Sequence, residues 1–272
     1  MGNDTKTKSI FFERDLLIVF AVTLISVMGV GSIAPAFPKI IQDIRVSSSE
    51  IGLLITVFTF PGVLLSPVMG LLADRYGRKK ILVPSLFLFG IAGGACLFAR
   101  HFYLLLIFRF FQGMGAASLG ALNVTLVGDL YSGKQRAAAM GYNASVLSIG
   151  TAGYPAIGGA LATLGWYYPF VLPLFAIPVG FMVLYSLESP EPKIEQGLRA
   201  YFANALKSIK NRQVIGIFSA SIMMFIILYG TFLTYFPLLL GHSFGASPLI
   251  IGLIIAAMSI TTALTSSQLG KL

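Results

Sequence analysis

The chain has 272 residues, 56% hydrophobic and 11% charged, and a formal net charge of +9. Its mean hydropathy of +0.86 lies well above that of an ordinary soluble domain and argues against a water-soluble enzyme. Lys and Arg fall in short stretches between apolar runs, which fits orientation in a membrane better than a nucleic-acid surface.

A helix needs about 20 mostly apolar residues to cross the hydrocarbon. Eight runs qualify, at roughly 15–37, 49–73, 81–99, 102–128, 136–163, 166–187, 213–240 and 248–270. With the N-terminus inside, the inner segments hold fourteen basic residues, among them Arg14, Arg75, Arg78, Lys79, Lys80, Lys134 and Arg136. The outer segments hold only Lys39, Arg45 and Arg100. That asymmetry predicts a cytoplasmic N-terminus. The single cysteine, Cys96, excludes an internal disulfide and reads as a buried thiol.

The first run carries Gly31-Ser-Ile-Ala-Pro35-Ala-Phe37-Pro38, a helix end broken by proline. The second ends in Gly70-Leu-Leu-Ala-Asp74-Arg75-Tyr-Gly77-Arg78-Lys79-Lys80. Gly70 and Gly77 suit close helix approach and a sharp turn. Asp74 is placed to cap the next helix or to pair with a neighbouring helix end. Asp129 closes the fourth run on the same side, where Arg78 or Arg75 is its expected partner.

Arg109 is the one charge well inside a run, at a cost of about 2.5–3.5 kcal/mol for a charge at a helix centre. Gln112, Gly113, Ala116, Gly120 and Asn123 share its face at helical spacing. Two roles stay open for it: bonding helix carbonyls as a structural group, or taking part in coupling. The fifth run reads Gly141-x8-Gly150-x3-Tyr154-Pro155-x2-Gly158-Gly159, a small-residue face with a proline bend. Polar residues suited to line a cavity are Thr23, Ser26, Asn123, Asn143, Ser148, Tyr229, Thr231 and Tyr235. No Asp or Glu falls in the middle of a run, which leaves two expectations for a proton carrier: an acid in a further part of a longer chain, or Asp15 near the inner end of the first run.

Residues 188–212 are Pro-rich and charged, with Ile194, Leu198, Phe202, Leu206 and Ile209 at amphipathic helical spacing. Beyond them the chain repeats itself. A shift of 200 residues aligns Ile51-Gly52-Leu53 with Ile251-Gly252-Leu253 and gives eight identities across 22 positions. A shift of 199 pairs Phe37-Pro38 with Phe236-Pro237.

The charged stretch Gly70-x-x-x-Asp74-Arg75-x-Gly77-Arg78-Lys79 matches the loop between helices 2 and 3 of the major facilitator superfamily at every position that motif defines. The chain therefore resembles that family. Arg109-x-x-Gln112-Gly113-x-Gly115-Ala-Ala is similar to its fourth-helix motif. The fifth run resembles the antiporter motif of its drug-exporting members, with Tyr154 where the motif places glycine before Pro155.

The resemblance implies an all-α polytopic fold with one complete six-helix bundle (1–187), a cytoplasmic linker (188–212) and the first two helices of a second bundle (213–272). It implies a secondary transporter of the plasma membrane, neither enzyme nor metal or cofactor protein, exporting a small amphipathic organic compound against protons by alternating access. Gly70, Asp74, Arg75, Gly77, Arg78 and Asp129 would gate the change, and Arg109, Gln112 and Asp15 would serve proton coupling. The expected partners are substrate, protons and the lipid bilayer. The alternatives are an uptake symporter on the same fold and a non-transporting membrane fragment. The repeat aligns Gly270 with Gly70 and so predicts that this chain is the front of a longer transporter.

Overall fold

A computed structural model describes residues 10–187 and 212–268. The linker and its amphipathic spacing lie outside the described residues. Those described are helical, without strands, and their helices run as follows. Helix α1 (Arg14–Gly31) continues through a 3-10 turn (Ala34–Ala36) into α2 (Phe37–Ile44). Next come α3 (Leu53–Tyr76), α4 (Arg78–Ala95), α5 (Phe102–Leu130) and α6 (Gly133–Leu164). A 3-10 segment (Tyr168–Phe175) leads into α7 (Ala176–Ser186). After the undescribed linker, α8 (Arg212–Phe225) passes through π-helical turns (Ile226–Tyr235) into α9 (Phe236–Phe244), and α10 (Pro248–Gln268) follows.

Six helical stretches among the described residues are long and apolar enough to cross a membrane. Two of the eight expected spans need a different argument. Helix α6 is long, but its Gly, Ala and Ser content dilutes its apolar character, and in α10 the apolar stretch among the residues with described side chains is Pro248–Thr262. These two helices pack against each other along much of their length.

Several boundaries differ from the expectation. Pro35 and Pro38 do not end the first span, because each sits in the first turn of a new helical segment, where its missing N–H is not needed. The second span extends to Tyr76, so Asp74 and Arg75 are helical and the loop shrinks to Gly77 at φ +108. Only glycine tolerates that conformation without strain. Asp74 does not cap α4, whose N-terminus has no side-chain cap.

Basic side chains close several helix ends. Arg136 donates to Tyr131 O (2.9 Å) and to Gly128 O at the end of α5. Lys79 donates to Leu187 O (3.2 Å) and Arg14 to Ser186 O, both at the end of α7. At the opposite end of the bundle, Lys39 donates to Ala162 O (3.2 Å) and Thr163 O (3.1 Å) in the last turn of α6. A cation at a helix C-terminus satisfies orphan carbonyls and complements the helix dipole.

Before α3 the chain forms a reciprocal cap that sequence reasoning missed. Ser47 N–H and Oγ donate to Glu50 Oε2 (2.8 and 2.7 Å), and Glu50 N–H donates to Ser47 Oγ (3.2 Å). The signal was the spacing Ser47-x-x-Glu50 ahead of an apolar run. These bonds hold the Glu50 carboxyl below its ordinary value of 4.5, and a depressed acid contributes stability above its unfolded pKa that is lost as pH falls through the folded one. Amide exchange should therefore show Ser47 N–H protected at neutral pH and unprotected below the ordinary glutamate range. In Glu50→Gln the pH dependence should vanish; an unchanged profile would remove the carboxylate from this role.

Candidate functional site

The charged turn joins three helices. Arg78, the first residue of α4, pairs with Asp74 of α3 and donates from Nε to Asp129 Oδ2 of α5 at 3.0 Å. Arg78 is the partner of Asp129, while Arg75 lies over the Tyr76 ring at 5.5 Å. Gly70 makes no close approach, since a Cβ there would meet nothing within 4 Å. Nearby, Tyr131 donates to Glu13 Oε2 at 2.9 Å, and burial, with that carboxylate beside it, pushes the phenol well up from its usual value. Asp15 is half-buried in the first turn of α1, away from the centre of the fold.

Arg109 is fully buried in α5. Its guanidinium donates to Gly29 O of α1 (2.8 Å), Leu54 O of α3 (3.2 Å) and Gln112 Oε1 (2.7 Å). Its carbon sits 4.0 Å from the centre of the Phe58 ring, in cation–π contact. Arg109 Nη2 and Gln112 Nε2 have no partner among the described residues. The geometry thus matches the carbonyl-bonding role, with one arginine tying α5 to α1 and α3. Gly113 lies on the same seam, where a Cβ would fall 2.0 Å from Phe58 O. Gly120, expected on this face, is exposed with open space beside it.

Three of the proposed cavity residues instead hydrogen-bond one another inside the bundle. Thr23 Oγ1 donates to Asn143 Oδ1 (2.5 Å), and Asn143 Nδ2 donates to Asn123 Oδ1 (2.8 Å), linking α1, α6 and α5. Ser26 donates to Thr23 O at 2.7 Å. Polar groups buried in a membrane bundle tend to satisfy each other across helices, which is the physical reason they do not face an opening.

The glycines of α6 divide by position. A Cβ on Gly158 would fall 1.8 Å from Ser32 O, and one on Gly150 would meet Val27 and Leu24, so both pack α6 against α1 and the turn after it. Gly159 faces α10 instead, with Pro248 O 2.4 Å and Gly252 Cα 3.2 Å from a Cβ built there. On Gly252 a Cβ would sit 2.2 Å from Pro155 O, so the two backbones touch at this crossing. Tyr154 packs partly buried against the core, and Gly141 faces open space.

Below this crossing lies a cavity of about 1030 Å³, lined by Thr151 of α6, the π-helical turns and α10. Its walls include Met224, Ile227, Phe232, Met258 and Ser259. Tyr229 and Tyr235 are not in its lining, and Tyr235 is 63% exposed. Sequence reasoning missed Thr151, Phe232 and Ser259; of these Phe232 lies in the π-helical turns, whose altered angle per residue puts it beyond helical spacing, while Thr151 and Ser259 sit in regular helices and carried no distinguishing signal.

The helices also meet closely at the end carrying α2 and α9. There Pro38 fills the space a side chain on Gly241 would need, 2.5 Å from its Cγ, and Thr234 Cγ2 is 3.7 Å from a Cβ built on Gly52. Toward the charged-turn end, α8 is exposed along its described side chains and makes its contacts with the π-helical turns that follow it.

A multi-pass integral membrane protein with a cavity between its helices is thus defined by fold and site. The family model of the Major Facilitator Superfamily matches residues 19–272. The chain belongs to this superfamily, whose members are transporters and not enzymes. It is 28% identical over 273 residues to Multidrug resistance protein 2 of Bacillus subtilis (strain 168), covering 97% of this chain and 68% of that protein. It is 27% identical over 158 residues to Quinolone resistance protein NorA of Staphylococcus aureus, covering 58% and 41% of the two. Among solved structures, a bacterial homolog of the human lysosomal transporter Spinster, inward-facing and unoccupied, superposes with a TM-score of 0.77 at 21% identity, over 92% of this chain and 60% of that one. The D-xylose-proton symporter gives 0.70 at 17% identity, over 97% and 70%.

Proposed function

We propose that the chain is part of a secondary transporter that exports a small amphipathic organic compound by alternating access, coupled to protons. The observation that carries this reading is the cavity of about 1030 Å³ between α6, α8, the π-helical turns and α10, with a predominantly apolar lining. Relatives named for multidrug and quinolone resistance favour export over uptake. In this reading residues 1–187 form one bundle, 188–212 link it to the next, and 213–272 begin the second. The α6–α10 crossing is the contact about which the two move. The charged-turn end faces the cytoplasm of a cell whose plasma membrane holds the protein. Arg109 and Gln112 support coupling by fixing α5 to α1 and α3, and Asp15, in the first turn of α1, is the candidate proton carrier.

Proteoliposomes with an imposed pH gradient test it. Export-type coupling predicts accumulation of a lipophilic dye when the lumen is acid, and collapse of that accumulation on adding a protonophore. Accumulation driven by the opposite gradient would favour the symporter, and none in either direction would leave the non-transporting fragment.

The ion pairs of the charged turn belong to the same reading. Exposed pairs are worth only ~0–1 kcal/mol, so their effect must come from forming in one conformation and breaking in the other. Asp129→Asn and Arg78→Ala should each cut the transport rate about tenfold or more at unchanged membrane abundance. Wild-type rates in both would remove the turn from gating.

A further inference from the structure

The cavity wall has a polarity that its residue types alone do not disclose. Thr151 Oγ1 donates its proton to Ser148 O (3.0 Å), Ser259 Oγ to Ile255 O (2.9 Å) and Thr262 Oγ1 to Met258 O (2.9 Å). A hydroxyl has one proton, so each of these three groups has only lone pairs left for a ligand. The remaining described lining adds Thr261, whose Oγ1 donates to Ala257 O (2.9 Å), the thioethers of Met224 and Met258, which accept weakly, and the electron-rich face of Phe232. Among the described residues, none that lines the cavity carries a side-chain amide, an amine or a charge. Helical backbone N–H groups are engaged along their own helices. The wall therefore accepts hydrogen bonds and offers almost none.

We infer that this cavity selects lipophilic ligands by the O–H or N–H donors they carry, and not by their charge. The inference rests on reading the cavity as the substrate site. Its chemistry is complementary. A phenol or aryl amine places its ring among Ile227, Phe232 and Met258 and gives its proton to Ser259, Thr262 or Thr151. An ether of the same shape brings a second acceptor, so its oxygen loses water without gaining a partner. A quaternary ammonium brings charge but no N–H, and no carboxylate among the described lining residues offsets its desolvation.

Three probes with one hydrophobic body separate these cases: 4-tert-octylphenol, its methyl ether, and the corresponding aryl trimethylammonium. Equilibrium dialysis against the purified 272-residue chain in nanodiscs, with empty nanodiscs correcting for partition into lipid, reads their affinities. The phenol should bind about tenfold more tightly than the ether or the ammonium, the ratio expected of one well-made hydrogen bond. In the combined variant Thr151→Val/Ser259→Ala/Thr261→Val/Thr262→Val, which removes every described hydroxyl of the wall, the phenol should fall to the level of the ether while the ether is unchanged. Thr151→Val alone, on a different helix from the other three, provides a second variant should that one lose thermal stability. Equal binding of phenol and ether, tightest binding of the ammonium, or a phenol advantage that survives the variants would each overturn the donor rule while leaving the cavity a binding site. Binding of none of the three above the lipid control would overturn both the donor rule and the use of this cavity by the transporter.

Discussion

Alanine at Gly252 should lower the midpoint of thermal unfolding in detergent, while alanine at Gly70 should leave it unchanged or raise it slightly. At Gly252 the new methyl would fall 2.2 Å from Pro155 O, and backbone cannot rotate away as a side-chain tip can. The helices must separate along the whole crossing, losing contacts at Gly159 and Pro248 as well. Forcing extra atoms into a packed seam typically costs about 1–3 kcal/mol. Gly70 has open space beside it, and alanine is the better helix former there. Fluorescence-monitored melting of both variants distinguishes them. Equal midpoints would mean that the α6–α10 contact contributes nothing to stability.

Arg109→Ala should be the most damaging change at a polar residue, and how it fails assigns the role. It removes three hydrogen bonds and the Phe58 contact and leaves Gly29 O, in the last turn of α1, and Gln112 Oε1 short of a donor, while Leu54 O keeps its place in the α3 ladder. Each buried group left unpaired costs about 1–3 kcal/mol. If the tie between α5, α1 and α3 is its whole contribution, membrane abundance and melting midpoint should both drop, and Arg109→Lys should restore little, because an ammonium lacks the planar fork. If coupling is its contribution, the alanine variant should reach the membrane and still equilibrate substrate, yet fail to accumulate it against a gradient. Normal gradient-driven accumulation in Arg109→Ala would exclude the coupling role.

The spans were legible because a membrane demands long apolar stretches, a constraint written residue by residue. The Arg78–Asp129 pair was legible too, since Gly77 permits one sharp turn and both side chains then lie at the same helix ends. Glycine roles were not. Gly113, Gly158 and Gly252 lie against neighbouring backbone while Gly70, Gly120 and Gly141 meet open space, and the letter is the same in both cases. Which glycine packs depends on where a second helix crosses, and that is set far away in sequence. The polar residues Thr23, Asn123 and Asn143 misled for a related reason: spacing places them on inward faces, but whether an inward face meets a cavity or another amide depends on the partner helix. The cavity itself was out of reach, because one wall lies in the π-helical turns, where the usual angle per residue no longer holds, and its hydroxyls on regular helices carried no distinguishing signal.

Arg14, Lys79 and Arg136 were read from sequence as markers of orientation, yet each is fastened to the carboxyl end of a helix. Insertion and folding are therefore written in the same side chains. An experiment that inverts the protein by neutralising its inner charges would loosen the ends of α5 and α7 at the same moment. A reporter fused downstream would then register a frayed bundle as a flipped one. Among the described residues Lys80 and Lys134 are exposed and make no such contact, so they are positions where charge can be changed for the translocation machinery alone. Moving orientation without disturbing the fold should begin there.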